Sequence, residues 1–224
     1  MRDTIKSEEY FTNKLQSNQA RILKFETLLT GIEPSNERGI RIGKGWLSRL
    51  HLDSLKAAYS AGAGIQDVYA HYLQFIDSYK DVCAPVDSAY DVIDALSLGV
   101  LFQAAKSNFL PGLESITEKF DSRDGLICCL IQSLRDEPLT IRPSQLDYFN
   151  RIAEGENPAE ILSLELSQWY QRRKDAYWYN AHRSKNDTYC GYWCFEIAAL
   201  SKIFRVDDSG FAQNPYYPYD LAHN

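Results

Sequence analysis

Residues 65–79 read IQDVYAHYLQFIDSY, and the apolar side chains of this stretch recur every three or four positions. Such spacing places them along one stripe of an α-helix and leaves the polar side chains on the opposite face. The stripe consists of Ile65, Val68, Tyr69, Tyr72, Leu73, Ile76 and Tyr79. The stretch therefore predicts an amphipathic helix that buries one face and ends at Ala84-Pro85, where proline stops it.

The rest of the chain carries the same helical pattern, and the alternation of apolar and polar residues that is typical of strands is missing. We predict further helices over residues 4–30, 46–61, 86–105, 113–120, 126–134, 145–153, 158–178 and 188–204. Residues 31–45 are rich in Gly, Pro and Asn and predict a loop. The tail from Asn214 to Asp220 contains two prolines, so we expect it to be extended.

These elements predict an all-α fold, a bundle-like body of two packed helical parts with an extended aromatic C-terminal tail. Pro138 and Pro143 bracket a linker. We therefore divide the chain into an N-terminal helical domain, residues 1–137, and a C-terminal helical domain, residues 138–224. A chain of 224 residues buries enough apolar surface to fold without disulfides or a structural metal.

The charge and the cysteine content limit the classes of function. The formal net charge of −6 disfavours a protein that binds nucleic acid directly and suits a basic protein partner. The five cysteines are an odd number, and the charged N-terminus has no apolar signal core. We therefore expect free thiols and a cytoplasmic location. We also expect no membrane span, because the sequence has no run of about 18 apolar residues. The oligomeric state stays open, a dimer being one option.

Enzyme chemistry has one candidate in this sequence, a cysteine paired with a histidine. Cys190 and Cys194 are four residues apart, which on a helix gives them a common face, and His182 or His223 would have to serve as the base or as a zinc ligand. Zinc-binding spacing, a nucleophile elbow and a phosphate-binding loop are all missing. Buried structural cysteines are favoured, so we expect no catalytic residue, no metal and no cofactor.

The clearest candidate binding surface is acidic. Residues 64–98 contain six aspartates and one lysine, and the aspartates fall on two helical stripes. The stripes are Asp67, Asp77 and Asp81 on one helix and Asp87, Asp91 and Asp94 on the next. An antiparallel arrangement of these helices would join the stripes into one surface that occupies the DNA-binding groove of a basic nuclease. The alternative is a solvated face without a partner.

Aromatic residues are concentrated in the C-terminal third of the chain, which holds three of the four tryptophans. Aromatic side chains bury large areas, so we expect the tail Tyr216-Tyr217-Pro218-Tyr219 to pack across the last two helices. The alternative is that the aromatic side chains form a hot spot for a protein partner.

Both ends of the chain resemble the PoNi family, which are immunity proteins of the polymorphic nuclease effectors called PoNe. The N-terminal resemblance lies in Arg2-Asp3-Thr4-Ile5-Lys6 and Tyr10-Phe11. The C-terminal resemblance is more specific and lies in residues 178–182, 189–199 and 214–221. Its motif residues are Trp178, Tyr179, His182, Gly191, Trp193, Glu196, Pro215, Tyr216, Tyr217, Pro218, Tyr219 and Asp220.

The resemblance implies an immunity protein that binds and neutralises a cognate DNase toxin in the cytoplasm. Such toxins are delivered between competing bacteria, commonly by type VI secretion, and the motif residues are expected to serve the fold. Two alternatives remain at this point. One is a cytosolic thiol hydrolase that uses Cys190 or Cys194 with His182, and the other is a helical adaptor without toxin specificity.

Overall fold

The computed structural model describes residues 1–85, 87–120 and 123–224 of the chain. These residues form two compact units. The first unit comprises Met1–Cys83 and Tyr177–Tyr192, and the second comprises Ala84–Ala176 and Trp193–Asn224. Since residues 177–192 belong to the first unit, the units follow packing and not chain order. The division at residue 137 into two sequence domains stays a prediction.

The first unit is built on three consecutive α-helices. They are α1 (Glu8–Thr30), α2 (Glu37–Ala61) and α3 (Ile65–Val82). The hydroxyl of Ser7 accepts a hydrogen bond from the Tyr10 amide and so caps α1. In α3 the predicted stripe is confirmed in its centre, where Val68, Tyr72 and Ile76 are buried.

The start of α2 corrects the predicted loop over residues 31–45. Helix α2 begins at Glu37, nine residues before the predicted start at Trp46, because the Asn36 side chain caps it by accepting from the Gly39 amide. Gly43 permits α1 and α2 to approach closely, since a Cβ at this position would lie 2.7 Å from Leu29 Cδ2. One of the glycines that indicated a loop, Gly43, therefore serves helix packing.

The second unit contains shorter helices. They are α4 (Ala89–Leu101), α5 (Leu110–Phe120), α6 (Gly125–Leu134), α7 (Asp147–Ala153), α8 (Pro158–Gln168), α9 (Phe195–Phe204) and α10 (Tyr219–Ala222). Residues 92–101 of α4 are all buried, and all of them except Asp94, Ser97 and Gly99 are apolar. Helix α4 packs against α6 and α9. Its predicted start near Val86 lies outside the described residues.

Three predictions about the C-terminal third are wrong. Helix α8 ends at Gln168 and not near Trp178, and the following residues form 3₁₀ turns at Gln171–Arg173 and Ala181–Arg183. Helix α9 begins at Phe195 and not at Thr188, because Gly191 has a φ of 111° that breaks a helix. The tail is not extended throughout, since Pro215 and Tyr216 form a turn and α10 begins at Tyr219.

The fold class itself is confirmed. Residues 1–85, 87–120 and 123–224 contain helices, turns and irregular segments but no β-strand. Among the same residues, no helix combines the length and the apolar character that crossing a bilayer requires.

The packing of Gly125 gives a test of the second unit. A Cβ at this position would lie 1.8 Å from the Arg142 carbonyl oxygen, and the Gly125 amide donates to the Pro143 carbonyl at 2.9 Å. We expect Gly125→Ala to lower the free energy of unfolding by about 1–3 kcal/mol, because backbone must move to admit the methyl group. Chemical denaturation monitored by circular dichroism measures the change.

Gly45→Ala is the matched control, because a Cβ at Gly45 meets no atom within 4 Å. Alanine has a higher helix propensity than glycine, so this variant should gain up to about 1 kcal/mol. Equal effects of the two substitutions would contradict the packing described for Gly125.

Candidate partner-binding surfaces

The acidic stripe of the first unit lies on α3 and is exposed. Asp67, Asp77 and Asp81 all face solvent. Two of them have lysine partners: Lys80 Nζ lies 2.5 Å from Asp77 Oδ1, and Lys44 Nζ lies 2.5 Å from Asp81 Oδ2. These surface ion pairs offset much of the negative charge of the stripe.

The aspartates of the second predicted stripe belong to the second unit. Asp87 and Asp91 are partly exposed, and the Asp87 carboxylate accepts a hydrogen bond from the Ala84 amide at 2.9 Å. Asp94 is only 8% exposed, so little of its carboxylate is available to a partner. A single surface made of both stripes stays a prediction.

A cleft in the first unit was not predicted from the sequence. Its volume is about 1,020 Å³, and its walls come from α1, α2 and residues 177–188. Five aromatic and four basic side chains line it, together with two acidic ones. Its walls therefore combine aromatic rings with excess positive charge, although the chain as a whole is acidic.

Hydrogen bonds hold residues 187–190 against the helices. Lys14 Nζ donates to the Asp187 carbonyl oxygen at 2.9 Å, and the Tyr10 hydroxyl donates to the Tyr189 carbonyl at 2.9 Å. The Tyr189 hydroxyl donates to the Asp3 carboxylate, and Ser60 Oγ donates to the Cys190 carbonyl at 2.9 Å. These bonds join residues far apart in sequence, so one wall of the cleft depends on tertiary structure.

Two arginines lie over aromatic rings of the cleft. The guanidinium carbon of Arg49 lies 3.9 Å from the ring centroid of Tyr177, and Arg49 Nε lies 3.2 Å from Asp53 Oδ1. The guanidinium carbon of Arg21 lies 6.0 Å from the ring centroid of Trp46. Trp46 and Tyr177 each leave 47% of their surface exposed, which is unusual for large aromatic residues.

His182 belongs to the wall segment and not to a thiol site. Its backbone amide donates to the Tyr192 hydroxyl at 3.1 Å, and its Nδ1 lies 2.8 Å from the same oxygen. Partial burial lowers the pKa of His182, and the positive charges of Arg183 and Lys6 lower it further. The Trp178 ring packs at 5.6 Å from the Tyr192 ring, so these motif residues support the wall.

The cysteines lack the properties of a nucleophile. Burial raises the pKa of Cys190 to about 12 and holds the pKa of Cys194 well above its usual range. The two thiols share no helix face, because Cys190 precedes α9 in an irregular segment and Cys194 is its N-cap. The other candidate base, His223, lies beside a carboxylate, with its Nε2 3.1 Å from Asp208 Oδ1.

Metal binding finds no support in the part of the chain that the structure describes. There, His, Cys, Asp and Glu side chains form no group of three or more that could hold a metal ion.

The motif residue Glu196 lies at the centre of a buried ion network in the second unit. Its carboxylate accepts from Trp169 Nε1 at 2.6 Å and from Arg173 Nη2 at 3.0 Å, while Arg173 Nη1 donates to Glu165 at 3.0 Å. Burial disfavours the charged form of Arg173, but the carboxylates of Glu196 and Glu165 more than compensate and raise its pKa. These bonds tie α9 to the end of α8. Glu196 and Arg173 are buried, so they leave almost no surface for a partner.

The aromatic tail packs as predicted, against α8 and the start of α9. The Tyr216 ring lies 5.5 Å from Trp169 and 5.6 Å from Tyr170, and the Tyr216 carbonyl accepts from the Cys194 amide at 2.8 Å. The hydroxyl of buried Tyr217 donates to Asp208 at 2.5 Å. The tail aromatics therefore stabilise the second unit.

Comparison with known proteins matches both halves of the chain to one family. The family model for PoNe immunity protein (PoNi), N-terminal, matches residues 2–110, and the model for PoNe immunity proteins (PoNi), C-terminal, matches residues 131–221. The crystal structure of protein PA2201 from Pseudomonas aeruginosa has a similar fold, with a TM-score of 0.76 and 15% sequence identity. The similarity covers 99% of this chain and 89% of that chain. No curated protein matches the chain.

The buried network predicts unequal effects for two neighbouring arginines. Arg173→Ala removes the cation from two buried carboxylates, so we expect a loss of about 3–5 kcal/mol in the free energy of unfolding. Arg172 also contacts Glu165, at 2.9 Å, but its side chain is 43% exposed. Arg172→Ala should therefore cost less than about 1 kcal/mol. Denaturant titration measures both, and a mild Arg173→Ala effect would contradict the structural role of the network.

Proposed function

This chain belongs to the family of PoNe immunity proteins, and from that membership we propose that it binds one cognate DNase toxin and neutralises it. The observation that carries the proposal is that the two family models match 2–110 and 131–221, which include residues of both compact units. An immunity protein acts by forming a complex with the toxin. The proposed partner is therefore the nuclease itself and not the DNA that the nuclease cleaves.

Inhibition by binding, without catalysis, agrees with the chemistry of the side chains. The thiols of Cys190 and Cys194 have raised pKa values because they are buried, so they are protonated at neutral pH. The hydrolase alternative, which needs one of them as a thiolate beside His182, is therefore not favoured.

The toxin reaches its target where DNA is, so the immunity protein has to meet it in the cytoplasm. Delivery by type VI secretion or by a similar contact-dependent route, as in competition between bacteria, belongs to this proposal. Its support is membership of the family of PoNe immunity proteins.

The acidic aspartates are the proposed contact with the DNA-binding surface of the toxin. A nuclease needs positive charge to hold phosphates, so negative charge on the inhibitor both speeds encounter and competes with DNA. The proposed contact rests on the exposed members, Asp67, Asp77 and Asp81 on α3, with Asp87 and Asp91 in the second unit.

Co-expression with a PoNe-type nuclease from the same genome tests the function directly. We expect the two proteins to co-purify as a complex and the nuclease to lose DNA cleavage activity in it. A chain that never associates with the nuclease and does not protect cells from it would overturn the proposal and favour the general adaptor.

Charge reversal on α3 tests the acidic contact. Asp67→Lys combined with Asp77→Lys should lower the association rate constant about tenfold at low salt and weaken its dependence on ionic strength. Stopped-flow mixing with the toxin at several salt concentrations measures both quantities.

The matched control is Glu26→Lys combined with Glu33→Lys, which makes the same charge change at exposed positions that do not belong to α3. If both pairs slow association equally, the acidic stripe is not the contact surface and only net charge matters.

A further inference from the structure

The cleft of the first unit has the composition of a protein-binding hot spot. Such hot spots are enriched in Trp, Tyr and Arg and lie in concave, well-packed places. Trp46 and Tyr177 are each 47% exposed here, and each ring lies beneath an arginine, Arg21 and Arg49. The rings therefore offer apolar surface, and the arginines offer charge in a restrained position.

The arrangement of charge in the cleft favours an acidic occupant. Asp53 is engaged by Arg49, whose Nε lies 3.2 Å from its carboxylate. Arg21 and Arg183 are exposed basic side chains of the lining. The cleft thus has two more basic than acidic side chains in a chain whose net charge is −6.

A polypeptide occupant fits these walls better than a nucleic acid. The carboxylates of Asp53 and Asp187 and the net charge of −6 repel a nucleic acid, with a phosphate on every nucleotide, more strongly than a peptide segment with only a few carboxylates. A volume of about 1,020 Å³ suits several residues of an extended segment, whose carboxylates can pair with the arginines while its apolar side chains cover the rings.

From these observations we infer that the cleft binds an acidic segment of the nuclease toxin that contains at least one apolar or aromatic side chain. The inference rests on the proposed function and deepens it by adding a basic contact beside the acidic one. Arg21 and Arg183 pair with carboxylates of the segment, and Trp46 and Tyr177 cover its apolar side chain.

Charge reversal at the cleft is the test, with an inactive variant of the PoNe-type nuclease as the probe. Arg21→Glu combined with Arg183→Glu should raise the Kd of the complex about tenfold or more, measured by titration calorimetry. Lys24→Glu combined with Arg38→Glu makes the same charge change at exposed positions outside the cleft and should change the Kd by less than about twofold. Circular dichroism checks that each variant is folded.

Hydrogen exchange of the wild-type complex provides a second measurement that does not depend on a variant. Amides of residues 177–188 should become protected when the nuclease binds, because the segment covers this wall. If the wild-type chain binds but the cleft and control variants have equal Kd values, the inference about the cleft is wrong and the proposed function stands. The same holds if the wild-type chain binds without protection of residues 177–188. A wild-type chain that does not bind the nuclease would overturn both.

A labelled single-stranded oligonucleotide tests the other possible occupant of the cleft, a nucleic acid. Fluorescence anisotropy should detect no binding of this oligonucleotide to the wild-type chain. Binding that disappears in the Arg21→Glu, Arg183→Glu variant would assign the cleft to phosphates and overturn the inference.

Discussion

The return of residues 177–192 to the first unit is the constraint on which the candidate site depends. Five hydrogen-bonding side chains, Asp3, Tyr10, Lys14, Ser60 and Tyr189, hold this segment in place. Without the segment, α1 and α2 would have no opposite wall and Tyr177 would not lie beneath Arg49. The same constraint keeps residues 177–192 out of both α8 and α9, because this part of the chain belongs to the first unit.

Local patterns in the sequence predicted a helix well where the residues of the pattern themselves make the contacts that stabilise the helix. The spacing of Val68, Tyr72 and Ile76 predicted the buried face of α3, and the helix predicted from residue 158 does begin at Pro158. The patterns failed where one residue type, here glycine, occurs both in loops and at close contacts between helices. Glycines before Trp46 indicated a loop, but Gly43 serves the close approach of α1 to α2, which depends on a neighbour 14 residues earlier.

The candidate site was predicted less well, for a physical reason. Charge along one helix is visible in the sequence, so the aspartates of α3 were found, but their lysine partners reduce their effect. The cleft combines residues near position 20, near position 49 and near position 180. The basic excess of the first 50 residues and the aromatic density after residue 168 were both visible in the sequence, but only the fold brings them together. The motif residues Trp178 and His182 support the cleft wall formed by residues 177–188. Glu196 and Tyr216, from the same family motif, stabilise the second unit, so the motif contributes to both units.

We propose above all that this helical protein inhibits a nuclease by binding to it and not by catalysing a reaction. Titration of a fixed amount of the nuclease with the purified chain, with DNA cleavage as the readout, tests it most directly. Inhibition should grow linearly and become complete at a fixed molar ratio of the two proteins. Complete inhibition at a small fraction of that ratio would indicate turnover by the chain, and cleavage that continues at any excess would show that it does not inhibit the nuclease.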